Sequence, residues 1–251
     1  MSISKALKFL FVLIALNISY SQDNEIGLIF GGTNYIGDVG PTTYINPFIK
    51  TNIKKENYTD SIRSFSPFIG IIYKKNLNER ISLRASFTLA EIKSSDFWHG
   101  SSNYRQKRGK WFKNKIEEFK IAAEFNFVDF DISAQDFQFS PYVSTGISYF
   151  RFDNLFYPIN QNNAIPYGKR NDFAIPITVG LKLKPLKKFV LSFEISAHHS
   201  FTENLDGSYP RFDESTLYSQ GSFGGNLSQD WYVFTGLSLT YIFGNYECYC
   251  P

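Results

Sequence analysis

The sequence predicts an all-β chain, an eight-stranded, antiparallel, up-and-down transmembrane barrel. Three observations predict it. The first is strict two-residue alternation in long segments. From Phe173 the odd positions Phe173, Ile175, Ile177, Val179, Leu181 and Leu183 are apolar, while Thr178, Lys182 and Lys184 lie between them. Side chains on a strand alternate faces, so such a segment has one apolar and one polar face. The second is that the polar faces carry charges deep within the strands, as in Arg80, Arg84, Lys120 and Glu124. The third is that connections alternate between tight turns and long loops. A closed barrel with lipid outside and a polar lumen inside requires all three.

The strands are expected over 25–35, 67–75, 80–93, 116–130, 139–153, 173–185, 189–202 and 230–244. The segment 80–93 alternates Ile81, Leu83, Ala85, Phe87 and Leu89 against Arg80, Ser82, Arg84, Ser86 and Thr88. The segment 116–130 sets Phe119, Ile121, Ala123, Phe125 and Phe127 against Glu118, Lys120, Glu124 and Asn126. Gly31-Gly32 in the first strand suggests a bend or bulge at the rim. The connections 76–79 and 186–188 are tight turns, and 131–138 is a shorter loop. Those at 36–66, 94–115, 154–172 and 203–229 are long. Short turns at one rim and long loops at the other are the outer-membrane pattern, and an even strand count puts both termini on the short-turn, periplasmic side.

The ends fit export. Lys5 and Lys8 precede a short apolar run, Phe9 to Leu16, and Ser19-Tyr20-Ser21 supplies small residues before a cut ahead of Gln22. This is the pattern of a secretory signal peptide over 1–21, too short to span a bilayer as a helix. The barrel is expected over 22–244, with 245–251 as a periplasmic tail. Removing 1–21 takes away two Lys and no acids, so the formal charge falls from +3 to +1. A near-neutral chain has no electrostatic basis for a nucleic-acid partner. The 26 Phe and 16 Tyr suit a lipid-facing wall with aromatic girdles. The two cysteines, Cys248 and Cys250, stand too close for an unstrained bridge and are too few for a zinc site. No cofactor is expected.

An eight-stranded barrel is narrow and its interior is filled by side chains, so inward charges must pair. The expected lumen network is Arg80, Arg84, Lys120 and Lys182 against Glu118, Glu124 and Glu194, with Arg84 near Glu124 across a hairpin. Catalysis has one candidate: His198 and Ser200 share a strand face, with Glu194 and Glu203 nearby, in a spacing that loosely resembles outer-membrane lipid A deacylases. Parity turns both residues into the lumen, away from a lipid substrate, so a hydrolase is the weaker reading. The basic run 104–115 is expected at the membrane interface, its Lys and Arg facing lipid phosphates beside Trp111 and Phe112.

The opening stretch Asn24-Glu-Ile-Gly-Leu-Ile-Phe-Gly-Gly-Thr-Asn-Tyr-Ile-Gly-Asp-Val-Gly-Pro, with Glu124-Phe-Asn-Phe-Val-Asp-Phe130 and Pro141-Tyr-Val-Ser-Thr-Gly-Ile-Ser-Tyr-Phe-Arg-Phe152, resembles the PorG-like family of small outer-membrane barrels of Bacteroidota. The resemblance implies a non-enzymatic component of the type IX protein secretion system, anchored among outer-membrane lipid and lipopolysaccharide. It also implies contact with a periplasmic secretion-ring protein. The tail, with Tyr246, Cys248, Tyr249 and Cys250, is the expected docking segment. A general membrane-integrity or surface-adhesion barrel is the alternative.

Overall fold

The structure, a computed structural model, describes residues 23–48, 50–55, 58–63, 65–210, 216–225 and 229–244. The expected signal peptide and C-terminal tail lie outside these residues. Eight strands close a barrel in the order β1-β10-β9-β8-β7-β6-β5-β4. They are β1 (Asp23–Ile36), β4 (Pro67–Asn76), β5 (Ile81–Ser95), β6 (Trp111–Asn126), β7 (Gln138–Phe156), β8 (Ile165–Leu186), β9 (Phe189–Ser200) and β10 (Trp231–Phe243). Neighbours run antiparallel throughout, and β1 closes on β10 with Leu28 opposite Leu239. Where all eight strands overlap, closure leaves no strand edge, so the ladder hydrogen bonds of that belt are met within the wall.

Strand limits depart from the sequence expectation where hydrophobicity ends but hydrogen bonding continues. β6 begins at Trp111 rather than at 116, and β8 begins at Ile165 rather than at 173. Most of the added outward residues, such as Lys113, Lys115, Lys169 and Asn171, are polar, so apolar alternation gives no signal there. The basic run thereby divides into a short helix α1 (Asn103–Arg108) and the start of β6. Ser102 accepts the Arg105 amide at the helix N-terminus, and Gly109 closes the other end in the left-handed conformation. Within the first long connection a hairpin, β2 (Lys50–Lys55) with β3 (Tyr58–Arg63), stands apart from the barrel. A second short helix, α2 (Thr216–Ser219), lies in the last long loop.

The outer face is an apolar belt. On β8 the outward residues from Phe173 to Leu183 span eleven positions, the length a tilted strand needs to cross a bilayer. Ile121, Ile147, Ile177 and Val179 are each more than half exposed, which only a lipid surrounding makes favourable for so many neighbouring aliphatic groups.

The interior has three layers. At the long-loop rim Tyr35, Phe112, Phe150, Phe152, Tyr232 and Phe234 pack with Leu205 and Val39 of the loops. At the short-turn rim Phe130 and Ile132, from the loop between β6 and β7, pack against Val190 and Ile242. Charged residues fill the middle. The lumen is therefore closed at both ends by side chains from its own loops.

The belt yields a depth-dependent expectation. Val179→Arg places a charge near mid-belt and should destabilise the inserted barrel by about 2–4 kcal/mol, whereas Asn171→Arg, beyond the belt, should cost about 0–1 kcal/mol. Urea unfolding in lipid vesicles measures both. Equal costs would contradict the placement of the belt.

Candidate functional site

The middle layer is built by inward positions of all eight strands. Glu124 on β6 is held by Lys74 of β4 at 3.1 Å and by Lys182 of β8 in a very short contact. Arg84 on β5 and Glu194 on β9 form a two-bonded pair at 2.6 and 2.8 Å. β5 and β9 are four places apart in a ring of eight, so this pair spans the lumen as a strut. Tyr142 of β7 donates to the same Glu194 carboxylate at 2.6 Å. Its ring has room because the residue opposite is Gly180, where a Cβ would come within 2.6 Å of the tyrosine. Nearer the short-turn rim Glu25 accepts from Asn76 at 2.9 Å and from Thr240. Lys184 donates to the carbonyls of Ile132 and Ala134, which ties the short-rim plug to the wall.

Above these, Glu118 accepts from the Tyr232 hydroxyl, and its carboxylate lies 2.9 Å from Nδ1 of His198. Nε2 of His198 lies 2.9 Å from the Ser196 hydroxyl, which also meets Thr178 at 2.7 Å. The His198 ring stacks on Tyr232, 4.6 Å between centroids. The line Glu118–His198–Ser196 has the order of a hydrolytic triad, but all three side chains are buried at mid-barrel. A substrate would have to displace the aromatic layer to reach them. Ser200 is not part of this line; its hydroxyl donates to the carbonyls of Thr202 and Asp230.

Of the residues expected in the lumen, Arg84, Glu118, Lys120, Glu124, Lys182 and Glu194 are buried there. Arg80 is not. It lies in the β4–β5 turn, half exposed, and pairs with Asp129 across the short-turn rim. Parity extended one residue too far, because the ladder of β5 starts at Ile81. Arg84 does not pair with Glu124 as its chief partner; the shear of the barrel brings Glu194 opposite it instead. Lys74, Glu25, Lys184 and His198 complete the network, and alternation in β1 and β4 was the signal that could have included the first two.

Two rim features remain. At the short-turn rim a cleft of about 600 Å³ opens between the β4–β5 turn and the β6–β7 loop, lined by Asn78, Arg80, Phe125, Asp129, Phe130 and Asp131. At the other rim the long loops are tied into a cap. Asp96 is buried and takes two bonds from Arg108, at 2.8 and 2.9 Å, and one from the Gly40 amide at 2.8 Å. Arg105 donates to the carbonyls of Gly37 and Gly40. Arg108 also lies 4.2 Å from the centre of the Phe223 ring. Thus Arg105 and Arg108 face loop carbonyls and a carboxylate, not lipid phosphates, and Phe112 is buried in the aromatic layer. Asp230 accepts from Tyr35 at 2.5 Å and from the Leu205 amide at 2.9 Å, joining β1 to the last loop.

Breaking a buried pair leaves an uncompensated charge, so Glu194→Leu should cost about 3–5 kcal/mol, while Arg84→Met with Glu194→Leu should cost far less. Unfolding of both variants in vesicles tests this, and equal destabilisation would contradict the strut. The cap has a pH dependence of opposite origin. Burial raises the Asp206 carboxyl to about 6, with Asp38 adding repulsion. Burial and then Asp206 raise Asp230 as well. A raised carboxyl favours the protonated folded form, so this contribution is present below the ordinary carboxylate range and is lost as pH rises through about 6. The protection factor of the Leu205 amide, its exchange corrected for the intrinsic rate at the same pH, should be higher at about pH 5 than at about pH 7.5, and Asp206→Asn should flatten the difference. An unchanged slope in that variant would assign the effect elsewhere.

Several solved small barrels are similar to this chain at low sequence identity. OprG, an outer-membrane protein of Pseudomonas aeruginosa, is 9% identical, with a TM-score of 0.43 over 90% of this chain and 97% of that one. Ail of Yersinia pestis, crystallised with the heparin analogue sucrose octasulfate, is 10% identical, with a TM-score of 0.41 over 89% of this chain and all of that one. The N-terminal barrel domain of Pseudomonas aeruginosa OprF is 13% identical, with a TM-score of 0.41 over 89% of this chain and 100% of that domain. Among curated proteins none matches the chain. One sequence family matches over residues 4–251, essentially the whole length, and the chain therefore belongs to that family, DUF6089, a domain of unknown function.

Proposed function

We propose that this chain is a bacterial outer-membrane barrel that serves type IX protein secretion as a non-enzymatic anchor, docking a periplasmic ring partner at its short-turn rim. The observation that carries this reading is the filled lumen. Struts such as Arg84–Glu194 and plugs at both rims leave no path for cargo, so the barrel works through its rims and walls. The cleft beside Arg80 and Asp129 offers the short-turn rim a contact surface with charges of both signs. β10 ends at this rim with Phe243, and the tail 245–251, outside the described residues, carries Tyr246 and Tyr249, residue types that suit a protein contact. The sequence resemblance to the PorG-like family supplies the identity of the machine. In this orientation both termini are periplasmic and the cap is at the cell surface.

A second reading is supported by the cap itself. Loops cross-tied through Asp96, Arg108 and Asp230 form a fixed outer surface, which is what an adhesion barrel presents. One experiment separates the two. In the native host, deletion of the gene, and separately Arg80→Glu combined with removal of 245–251, should leave type IX cargo in the cells and reduce it in the medium. The tail-and-cleft variant should still insert. Unchanged cargo in the gene deletion would overturn the secretion reading and favour adhesion, and normal secretion by the variant alone would move the docking contact away from this rim.

A further inference from the structure

The outer wall beyond the apolar belt carries an ordered set of charges that neither the lumen nor the cap uses. On β5 to β8 an outward aromatic row, Phe87, Phe119, Tyr149 and Phe173, is aligned in register. The next outward row holds Leu89, Glu117, Arg151 and Asn171, also in register. The row beyond pairs Glu91 with Lys115, and Asp153 with Lys169. Two residues along a strand advance about 7 Å, so these cations stand about 7–14 Å beyond the aromatic row. Aromatic side chains sit at the headgroup boundary of a bilayer, and Lys and Arg just beyond it reach the phosphate layer.

The cations are weakly committed within the protein. Arg151 and Lys169 share Glu117 at 4.0 and 3.8 Å, and both are half exposed. Lys113 takes Glu91 at 2.8 Å, which leaves Lys115 without a carboxylate within 4.0 Å among the described residues. The ledge is one-sided. Among the described residues, the long-loop ends of β9, β10, β1 and β4 carry no outward Lys or Arg. There the wall is covered instead by the first loop: the Tyr44 hydroxyl meets Thr235 at 2.9 Å, and Pro47 and Phe65 lie over Gly32.

We propose that the long-loop end of the β5–β8 wall binds the phosphorylated headgroup of a membrane lipid through Lys115, Arg151 and Lys169. The site rests on the membrane reading of the belt and is independent of the secretion role. Charge complementarity selects the occupant, because a phosphate monoester at this height meets three cations against two carboxylates, Glu117 and Asp153, and Glu117 holds its cations only at 3.8 and 4.0 Å. Arg151 offers a planar fork for two phosphate oxygens, while Lys115 and Lys169 approach as point charges from either side.

The test is native mass spectrometry of the full chain extracted from membranes and titrated with three probes: diphosphoryl lipid A, its dephosphorylated counterpart, and inorganic phosphate. The diphosphoryl lipid should bind about tenfold tighter than the dephosphorylated one, and Lys115→Gln/Arg151→Gln/Lys169→Gln should remove about that advantage or more. Lys75→Gln at the opposite rim, and the charge-keeping Lys115→Arg/Lys169→Arg, should retain it. A heat-dependent gel shift confirms that each variant is folded. Equal binding of the two lipids, an unaltered triple variant, or full competition by inorganic phosphate at matched concentration would overturn the proposal. Failure of the chain to insert into vesicles would instead overturn the membrane reading.

Discussion

The pairing of charges across the lumen is the interaction on which the rest of the structure depends. Lipid outside demands a closed wall with all backbone groups satisfied, and closure with eight strands leaves a bore only wide enough for side chains. The inward half of every strand must then be polar enough to keep the outward half distinct, yet no charge can be left alone. Glu124 between Lys74 and Lys182, and Glu194 between Arg84 and Tyr142, meet both demands. Because the struts connect strands far apart in the ring, they also fix register. A slip by one residue would turn Arg84 and Glu124 into lipid.

This layer organises the chain above and below it. Toward the long loops the charges give way to Glu118–His198–Ser196 and then to stacked aromatic rings, against which the cap folds. Toward the short turns Lys184 reaches the loop carbonyls that hold Phe130 and Ile132 in the mouth. The triad-like line thus has a structural explanation. Ser196 and Nε2 of His198 satisfy each other, and Nδ1 of His198 faces the buried Glu118 carboxylate at 2.9 Å. What the molecule offers to other molecules is left to its surfaces: a cleft at one rim, a cap at the other, and a cationic ledge on one wall.

Much of the fold was legible in the sequence, because period-two hydrophobicity reports directly on a wall with lipid on one side. The face of Arg84, Glu118, Glu124, Lys182 and Glu194 followed from parity alone. Their partners did not. Which residues meet across a barrel depends on shear, and alternation carries no information about how far one strand slides past another. The β5–β6 hairpin alone points Arg84 to Glu124, and the shear places it at Glu194. Strand length beyond the membrane was also hidden, since Lys113, Lys169 and Asn171 sit on a ladder held by backbone bonds with water outside. Arg105 and Arg108 were misplaced for a related reason: a basic run near a membrane boundary resembles a lipid contact, and only the folded loops show that Asp96 claims them. The plugging loop at Phe130 had no periodic signal.

The lumen is closed by its own ion pairs and plugs, a closure that conductance of the full chain in planar lipid bilayers reads out. No stepwise current above the bilayer leak is expected from the native chain at neutral pH. Stable, voltage-independent unitary steps from the purified native barrel would contradict it, because they require a continuous water path through the layer that Arg84, Glu194 and Glu124 fill.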